Sequence, residues 1–266
     1  MILNSRYDAT LNGHSLSDVA EEIIIRDIIE EPPKVDRQTD KRALRHGYRV
    51  SGVIRRSLSV RIVYNVRAYD ESRRAEILDS IARWAGDGGW LTISTRPMLR
   101  LYVRPEDFPS LSSSLKWTED LSLTLTAYEQ PYWEERLPAV LSAQTAPDGD
   151  GYAFSGALNP RGTVQAVPVT LTMTNTGGAA LTNLTITAAD TSIVLERLSV
   201  QPGEAVAIAY TDDDILTITG GGASILSART AESSDELLIR PGQENPITIT
   251  SDAPVSGTVE ARGRWR

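Results

Sequence analysis

The sequence contains no cysteine and only two histidines, His14 and His46. Without cysteine, a disulfide-stapled scaffold, a thiolate metal site and a cysteine nucleophile are all excluded. His14 follows an Asn12-Gly13 turn and His46 sits in a basic stretch. Nothing joins them in one site, so both read as surface side chains and no metal is expected. Long hydrophobic runs are also missing: none approaches the ~20 apolar residues that cross a bilayer, so no membrane insertion is expected. Met1-Ile2-Leu3 passes straight into polar Asn4-Ser5-Arg6, which does not read as a secretory leader. The protein is expected to be made in a cytosol and to stay soluble there.

The motifs of common chemistries are absent too. There is no Walker-type phosphate loop and no Gly-x-Gly-x-x-Gly after a strand. Gly13-His14-Ser15-Leu16-Ser17 comes nearest to a serine-hydrolase elbow but lacks its second glycine. Asp212-Asp213-Asp214 and Asp148-Gly149-Asp150-Gly151 lack the twelve-residue spacing of a calcium loop and read as turns. Gly220-Gly221-Gly222 reads as a hairpin turn. No catalytic residues, cofactor or metal site are assigned, and an enzyme is not expected.

What is present is an ordinary globular composition, 41% hydrophobic and 23% charged over 266 residues, enough for one large or two ordinary domains. The net charge of −8 is uneven. Residues 1–138 hold 20 Lys/Arg against 21 Asp/Glu, whereas residues 139–266 hold 7 against 14. So acidic a second half is poorly suited to neutralising phosphates, and sequence-specific nucleic-acid binding is not expected.

Composition shifts near residue 138, from Arg, Ile and aromatics to Thr, Ala, Gly, Ser and Val. Ala139 to Gly151 reads as a connecting loop, giving domains 1–138 and 139–266. In the first, Leu58, Val60, Ile62, Tyr64, Val66 and Ala68 alternate with mostly polar residues and predict a half-buried strand. The period then changes: Ile77, Leu78, Ile81, Ala82, Trp84 and Ala85 predict a helix over 72–85. Asp70 or Ser72 could cap it and Gly86 could stop it. Strands are predicted at Trp90–Ile93, Leu99–Val103 and Leu121–Ala127. In the second domain Thr/Val/Ile-rich strands recur about every 8–12 residues from Val167 to Ala261, the signature of a sandwich.

Glu31 to Arg56 fits neither period. It carries Lys34, Arg37, Lys41, Arg42, Arg45, Arg49, Arg55 and Arg56 against Glu31, Asp36 and Asp40, and opens on Pro32-Pro33. So polar a stretch in a compact domain is either solvated or built to lie on an acidic neighbour, which could be another copy of this chain.

Taken in order, these segments resemble the distal tail protein family of long-tailed, siphovirus-type bacteriophages. The resemblance runs from Asn12-Gly13-His14-Ser15-Leu16 through Ile23–Glu31, the Pro-opened arm, Gly47-Tyr48, the long strand and the helix ending Ile81-Ala82-Arg83-Trp84. It continues at Thr126 to Trp133, with its Pro131-Tyr132 pair, at Leu238 to Ile247, and at Arg262-Gly263-Arg264-Trp265.

That resemblance implies a mostly β fold. An N-terminal β-sandwich or barrel-like domain would carry one α-helix and a protruding arm, followed by a C-terminal galectin-like β-sandwich. It implies a non-enzymatic virion component at the tail tip, made in the host bacterial cytoplasm. Six copies would form a ring joining the tail tube to the adhesion apparatus around the DNA channel. The implied partners are itself as a homo-hexamer, the tail tube protein, the tail tip hub or tail-associated lysin, the tape measure protein and a receptor-binding protein. The arm that would embrace the next subunit falls on the basic stretch, so Lys34, Arg37, Lys41, Arg42, Arg45 and Arg49 are the expected interface residues. An acidic ring also suits a conduit in which DNA must slide.

Two other readings compete. One is a carbohydrate-binding or adhesin-like module built on the second domain, whose aromatics Tyr152, Phe154, Tyr210 and Trp265 form no obvious stacking platform in sequence. The other is a tube or baseplate protein of a contractile injection system, which shares hexameric β architecture.

Overall fold

The computed structural model describes residues 7–33, 35–41, 48–108, 118–211 and 214–266. It divides into two compact units, 1–133 and 134–265.

The first unit opens on a hairpin of β1 (Ala9–Leu11) and β2 (His14–Ser15), followed by a short 3-10 turn at Leu16–Asp18. The two-residue loop is Asn12-Gly13, with φ of 51° and 86°, the mirror-image turn whose twist suits adjoining strands. Next come β3 (Ile23–Glu31), β4 (Val35–Lys41), β5 (Tyr48–Arg55) and β6 (Leu58–Val66). The helix α1 (Glu71–Ala85) is followed by β7 (Gly89–Ile93), β8 (Leu99–Asp107) and β9 (Thr118–Ala127).

Seven of these strands hydrogen-bond in the order β2-β1-β7-β8-β9-β6-β3. β8 divides its pairing: Leu101 to Val103 face β7, whereas Arg104 to Asp107 face β9 across a bulge. A strand shared in this way lets a sheet turn a corner and close on one core. The predicted alternation is observed in β6, where Leu58, Val60, Ile62, Tyr64 and Val66 are all buried. At about 2 kcal/mol per fully buried large apolar side chain, that strand is a main support of the core. α1 adds Ile77, Ile81 and Ala85 to the buried set. Of the two candidate caps Asp70 is the one used, its carboxylate accepting from the Arg73 N–H, and Gly86 ends the helix at φ 46°.

The second unit is entered through β10 (Trp133–Glu135) and continues with β11 (Ala139–Gln144), β12 (Ala146–Asp148), β13 (Gly151–Leu158) and β14 (Val167–Asn175). Then come β15 (Leu184–Ala188), β16 (Thr191–Leu195), β17 (Ala205–Tyr210), β18 (Leu216–Gly220) and β19 (Ala223–Ser224). The chain closes with β20 (Leu238–Ile239), β21 (Asn245–Ser251), β22 (Val255–Ala261) and β23 (Arg264–Trp265).

Apart from β10 and β23, which pair with each other, they build two antiparallel sheets, β11-β22-β14-β17-β18-β19 with β20 added beside β14, and β12-β13-β21-β15-β16. Each contributes one apolar row. Val169, Leu171, Met173, Ile208 and Val259 come from one; Ile186, Ile193, Ile247 and Ile249 come from the other. The fold is mostly β with one α-helix, an N-terminal sheet domain and a C-terminal sandwich, as the sequence predicts.

One expectation is corrected. The segment from Ala139 to Gly151 is not a connecting loop but carries β11, β12 and the start of β13. β11 pairs with β22 over six residues, from Ala139↔Ala261 to Gln144↔Ser256. Its Ala, Ser and Gln composition hides the strand, because only Ala143 of β11 is buried and no apolar alternation results. The glycine turn is as expected: Gly221 and Gly222, at φ of 56° and 82°, close the β18–β19 hairpin. No helix among the described residues is long and apolar enough to cross a membrane.

Candidate interface surfaces

The basic stretch folds as a separate two-stranded ribbon, β4 against β5. It is not an independent hairpin. Glu31 pairs with Ser59 in β3–β6, and four residues further on Val35 pairs with Arg55 in β4–β5. The register is therefore carried through Pro32-Pro33, so the ribbon continues the sheet pair past the point where the body of the sheet ends. Pro32 and Pro33 lack N–H groups, which interrupts the ladder there and severs the ribbon from the main sheet's hydrogen bonding. A seven-residue strand extends roughly 23 Å.

Three ion pairs surround the ribbon's root. Arg96 Nε lies 2.9 Å from Glu30, and its guanidinium stands 5.5 Å over the Trp133 ring. Arg61 approaches Glu31 at 3.8 Å and Arg56 holds Asp36 at 2.6 Å. Two of the three acids in the basic stretch are thus engaged at its root. Such exposed pairs each contribute about 0–1 kcal/mol, enough to bias direction but not to fix it.

Of the predicted interface residues, Arg37 and Lys41 fall on β4 and Arg49 on β5. Register sets Asp40 opposite Arg49 and Lys41 opposite Tyr48. A register shift between Gln38 and Thr39 bulges the ribbon midway. Lys34, Arg42 and Arg45 lie outside the described residues, as does His46. His14 is exposed in β2, and its carbonyl accepts from Trp84 Nε1 at 2.9 Å.

The Tyr210 hydroxyl accepts from the Leu237 N–H at 2.7 Å and donates to the Leu237 carbonyl at 3.2 Å. Burial pushes that hydroxyl's pKa up to about 12, as expected of a clamp holding the strand leading into β20. The Phe154 ring lies beside Gly156, where an added Cβ would meet it at 2.8 Å. Among the described residues no group of three or more His, Asp or Glu could hold a metal ion.

Buried polar residues organise the sandwich's loops. Asn245 is fully buried; its amide donates to the carbonyls of Arg240 and Gln243 at 2.8 Å and of Leu158 at 3.2 Å. Its Oδ1 accepts from the Arg240 N–H at 3.0 Å. Arg264 grips Asp214 through two bonds of 2.9 and 2.8 Å, which fixes the loop before β18 to the C-terminal strand. Asp214 belongs to the acidic run read as a turn, and its φ of 57° fits that reading; Asp212 and Asp213 lie outside the described residues.

At another loop Asp252 accepts from the Thr182 N–H at 3.0 Å, the Thr182 hydroxyl and the Asn183 amide at 3.1 Å. Burial alone would raise its pKa, but these hydrogen bonds outweigh it and hold the carboxyl below the usual value. The ionised form therefore stabilises the fold above the unfolded value of about 4, and that contribution is lost as pH falls through the lower folded value. Acidification below about pH 4 should lower the sandwich's thermal midpoint less in Asp252→Asn than in the wild type. Parallel pH profiles would contradict this.

No protein-family model matches the chain, and no curated protein matches it. Solved structures do. The Dit protein of phage SPP1, a paradigm of the hub adsorption apparatus in phages infecting Gram-positive bacteria, is similar with a TM-score of 0.73 at 10% identity, covering 98% of this chain and 99% of that one. A chain of the phage P2 baseplate in its activated, Ca-bound conformation is similar with a TM-score of 0.50 at 8% identity, covering 95% and 97%. Over nearly its whole length, this chain has the fold of the SPP1 Dit protein.

Proposed function

We propose that this chain is a distal tail protein, a non-enzymatic structural component of a phage tail tip. The observation that carries the reading is end-to-end likeness to the SPP1 hub protein, covering 98% of this chain rather than one domain. In this reading six copies close into a ring between the tail tube and the adhesion apparatus, around the DNA channel. The ribbon is the arm that embraces the next copy, with Lys34, Arg37, Lys41, Arg42, Arg45 and Arg49 as its contacts. The tail tube protein, the tape measure protein, the tip hub or lysin and a receptor-binding protein are its neighbours in the virion. The two domains meet near residue 138, the first forming the ring and the second facing its partners.

The formal charge of −8 per copy supports a role as a DNA conduit, since a repelling wall lets phosphates slide where fixed cations would trap them. The tube reading is distinguished by location. Antibodies against this chain should label one end of each tail; labelling along the length of the tail would contradict the tip assignment.

A further inference from the structure

The Asn12-Gly13 turn carries a reactive pair as well as a backbone conformation. Of the seven asparagines in the chain, Asn12 alone is followed by glycine. Glycine has no Cβ, so nothing shields its backbone nitrogen from the amide carbon of the preceding side chain. Attack at that carbon is the first step of deamidation. Gly13 is exposed, and no heavy atom stands within 4 Å of the place its Cβ would take. Solvent base therefore reaches its N–H.

The fold holds the Asn12 amide at both ends. Oδ1 accepts from the Trp90 N–H at 2.9 Å, and Nδ2 donates to the Gly88 carbonyl at 3.1 Å. The Asn12 N–H donates in turn to the Trp90 carbonyl at 3.0 Å. The seat is shaped for this side chain: a Cβ on Gly89 would stand 2.1 Å from Oδ1, so no larger residue fits beside the amide. Yet the clamp sits at the rim of the sheet. β2 has two residues and, among the described strands, pairs with β1 alone. Short edge elements of this kind open locally far more often than the core does.

The chemistry needs only water. The Gly13 nitrogen, once its proton has gone to solvent base, attacks Asn12 Cγ. A C–N bond forms and closes a succinimide ring, while the Cγ–Nδ2 bond breaks and ammonia leaves with a proton from water. Water then opens the ring at one carbonyl or the other, giving aspartate or an isoaspartate whose main chain runs through Cγ. Ring closure expels Nδ2, so it breaks the bond to Gly88 and disturbs the seat of Oδ1. The products cannot rebuild the clamp. A carboxylate has no hydrogen to donate to the Gly88 carbonyl, and isoaspartate adds a main-chain carbon that a two-residue hairpin loop cannot absorb without losing the Leu11↔His14 register.

We propose that Asn12 is a deamidation site gated by the β1–β2 hairpin: the clamp on its amide holds the reaction off, and each opening of the clamp exposes the pair to a one-way conversion. The event takes place within a single copy and needs no partner. Converted chains lose a hold on the edge formed by β1, which pairs with β7 from Ala9 to Leu11.

The test is peptide mapping by mass spectrometry of the full chain after incubation in mildly alkaline buffer, once folded and once in urea. Folded wild type should convert Asn12 slower than the unfolded chain by about tenfold or more, because only the open fraction reacts. Gly89→Ala, whose Cβ displaces the amide from its seat, should bring the folded rate most of the way to the unfolded one, provided circular dichroism shows the fold retained. Hydrogen exchange gives a second reading that does not depend on that variant. The Trp90 N–H is bonded to Asn12 Oδ1, so conditions that speed its exchange in folded wild type should speed conversion in proportion. Equal rates in the folded and unfolded chain, or conversion that does not follow exchange at Trp90, would overturn the proposal.

Discussion

Replacing Lys34, Arg37, Lys41, Arg42, Arg45 and Arg49 together by glutamate should abolish ring assembly while leaving the protein folded. The reasoning begins with placement. The ribbon of Val35–Lys41 and Tyr48–Arg55 forms its own two-stranded sheet, separate from the main sheet that carries the core residues Ile62 and Leu123. Its stretch carries eight cations against three acids, and Glu31 and Asp36 are already engaged at its root by Arg61 and Arg56. An arm of that sign gains most by lying on an acidic neighbour. Turning each attraction into a repulsion costs roughly 0.5–1 kcal/mol at a partly exposed contact. Six such changes then weaken each interface by about 3–6 kcal/mol, or roughly 10² to 10⁴-fold. The thermal midpoint should move little, and in wild type added salt should weaken assembly in the same direction. Rings of undiminished mass in the reversed variant would show that the arm does not dock by charge.

The largest loss of stability from one substitution is expected at Asn245. The two N–H groups of its amide are shared among three carbonyls and its Oδ1 takes one N–H, all at a fully buried position. Asn245→Leu leaves the carbonyls of Leu158, Arg240 and Gln243 without that donor, and a buried polar group so orphaned costs about 1–3 kcal/mol. A net loss of about 3 kcal/mol, lowering the sandwich's midpoint by roughly 10 °C, should follow. Asn245→Asp keeps the acceptor for Arg240 N–H but removes both donor hydrogens, so it should cost nearly as much at neutral pH. Urea unfolding of the two variants checks this, and a loss below about 0.5 kcal/mol in either would contradict the bonding described.

How far the sequence reaches depends on what holds each element. β6 and α1 were legible because burial imposes a period: every second residue of Leu58–Val66, and every third or fourth of the helix, faces the core. The two-residue turns at Asn12-Gly13 and Gly221-Gly222 were legible because positive φ restricts the residue types. β11 was missed because an edge strand of Ala, Ser and Gln has little to bury, and its existence depends on β22, over a hundred residues away. The ribbon's stretch stood apart in the sequence by its charge, but its two-stranded form was not legible there. The bracing of its root by Arg96 and Trp133 depends on distant segments, which no local motif reveals. Asn245 stood within a recognisable Pro-Gly-x-x-Asn run, yet the depth of its burial became apparent only in the fold.

The central claim is that copies of this chain close into a ring at a tail tip, and the most direct measurement is native mass by light scattering with negative-stain imaging of the same peak. The account predicts a six-copy species with sixfold symmetry and a central hole. A single-copy mass that persists at every concentration and in the presence of tail tubes would contradict it.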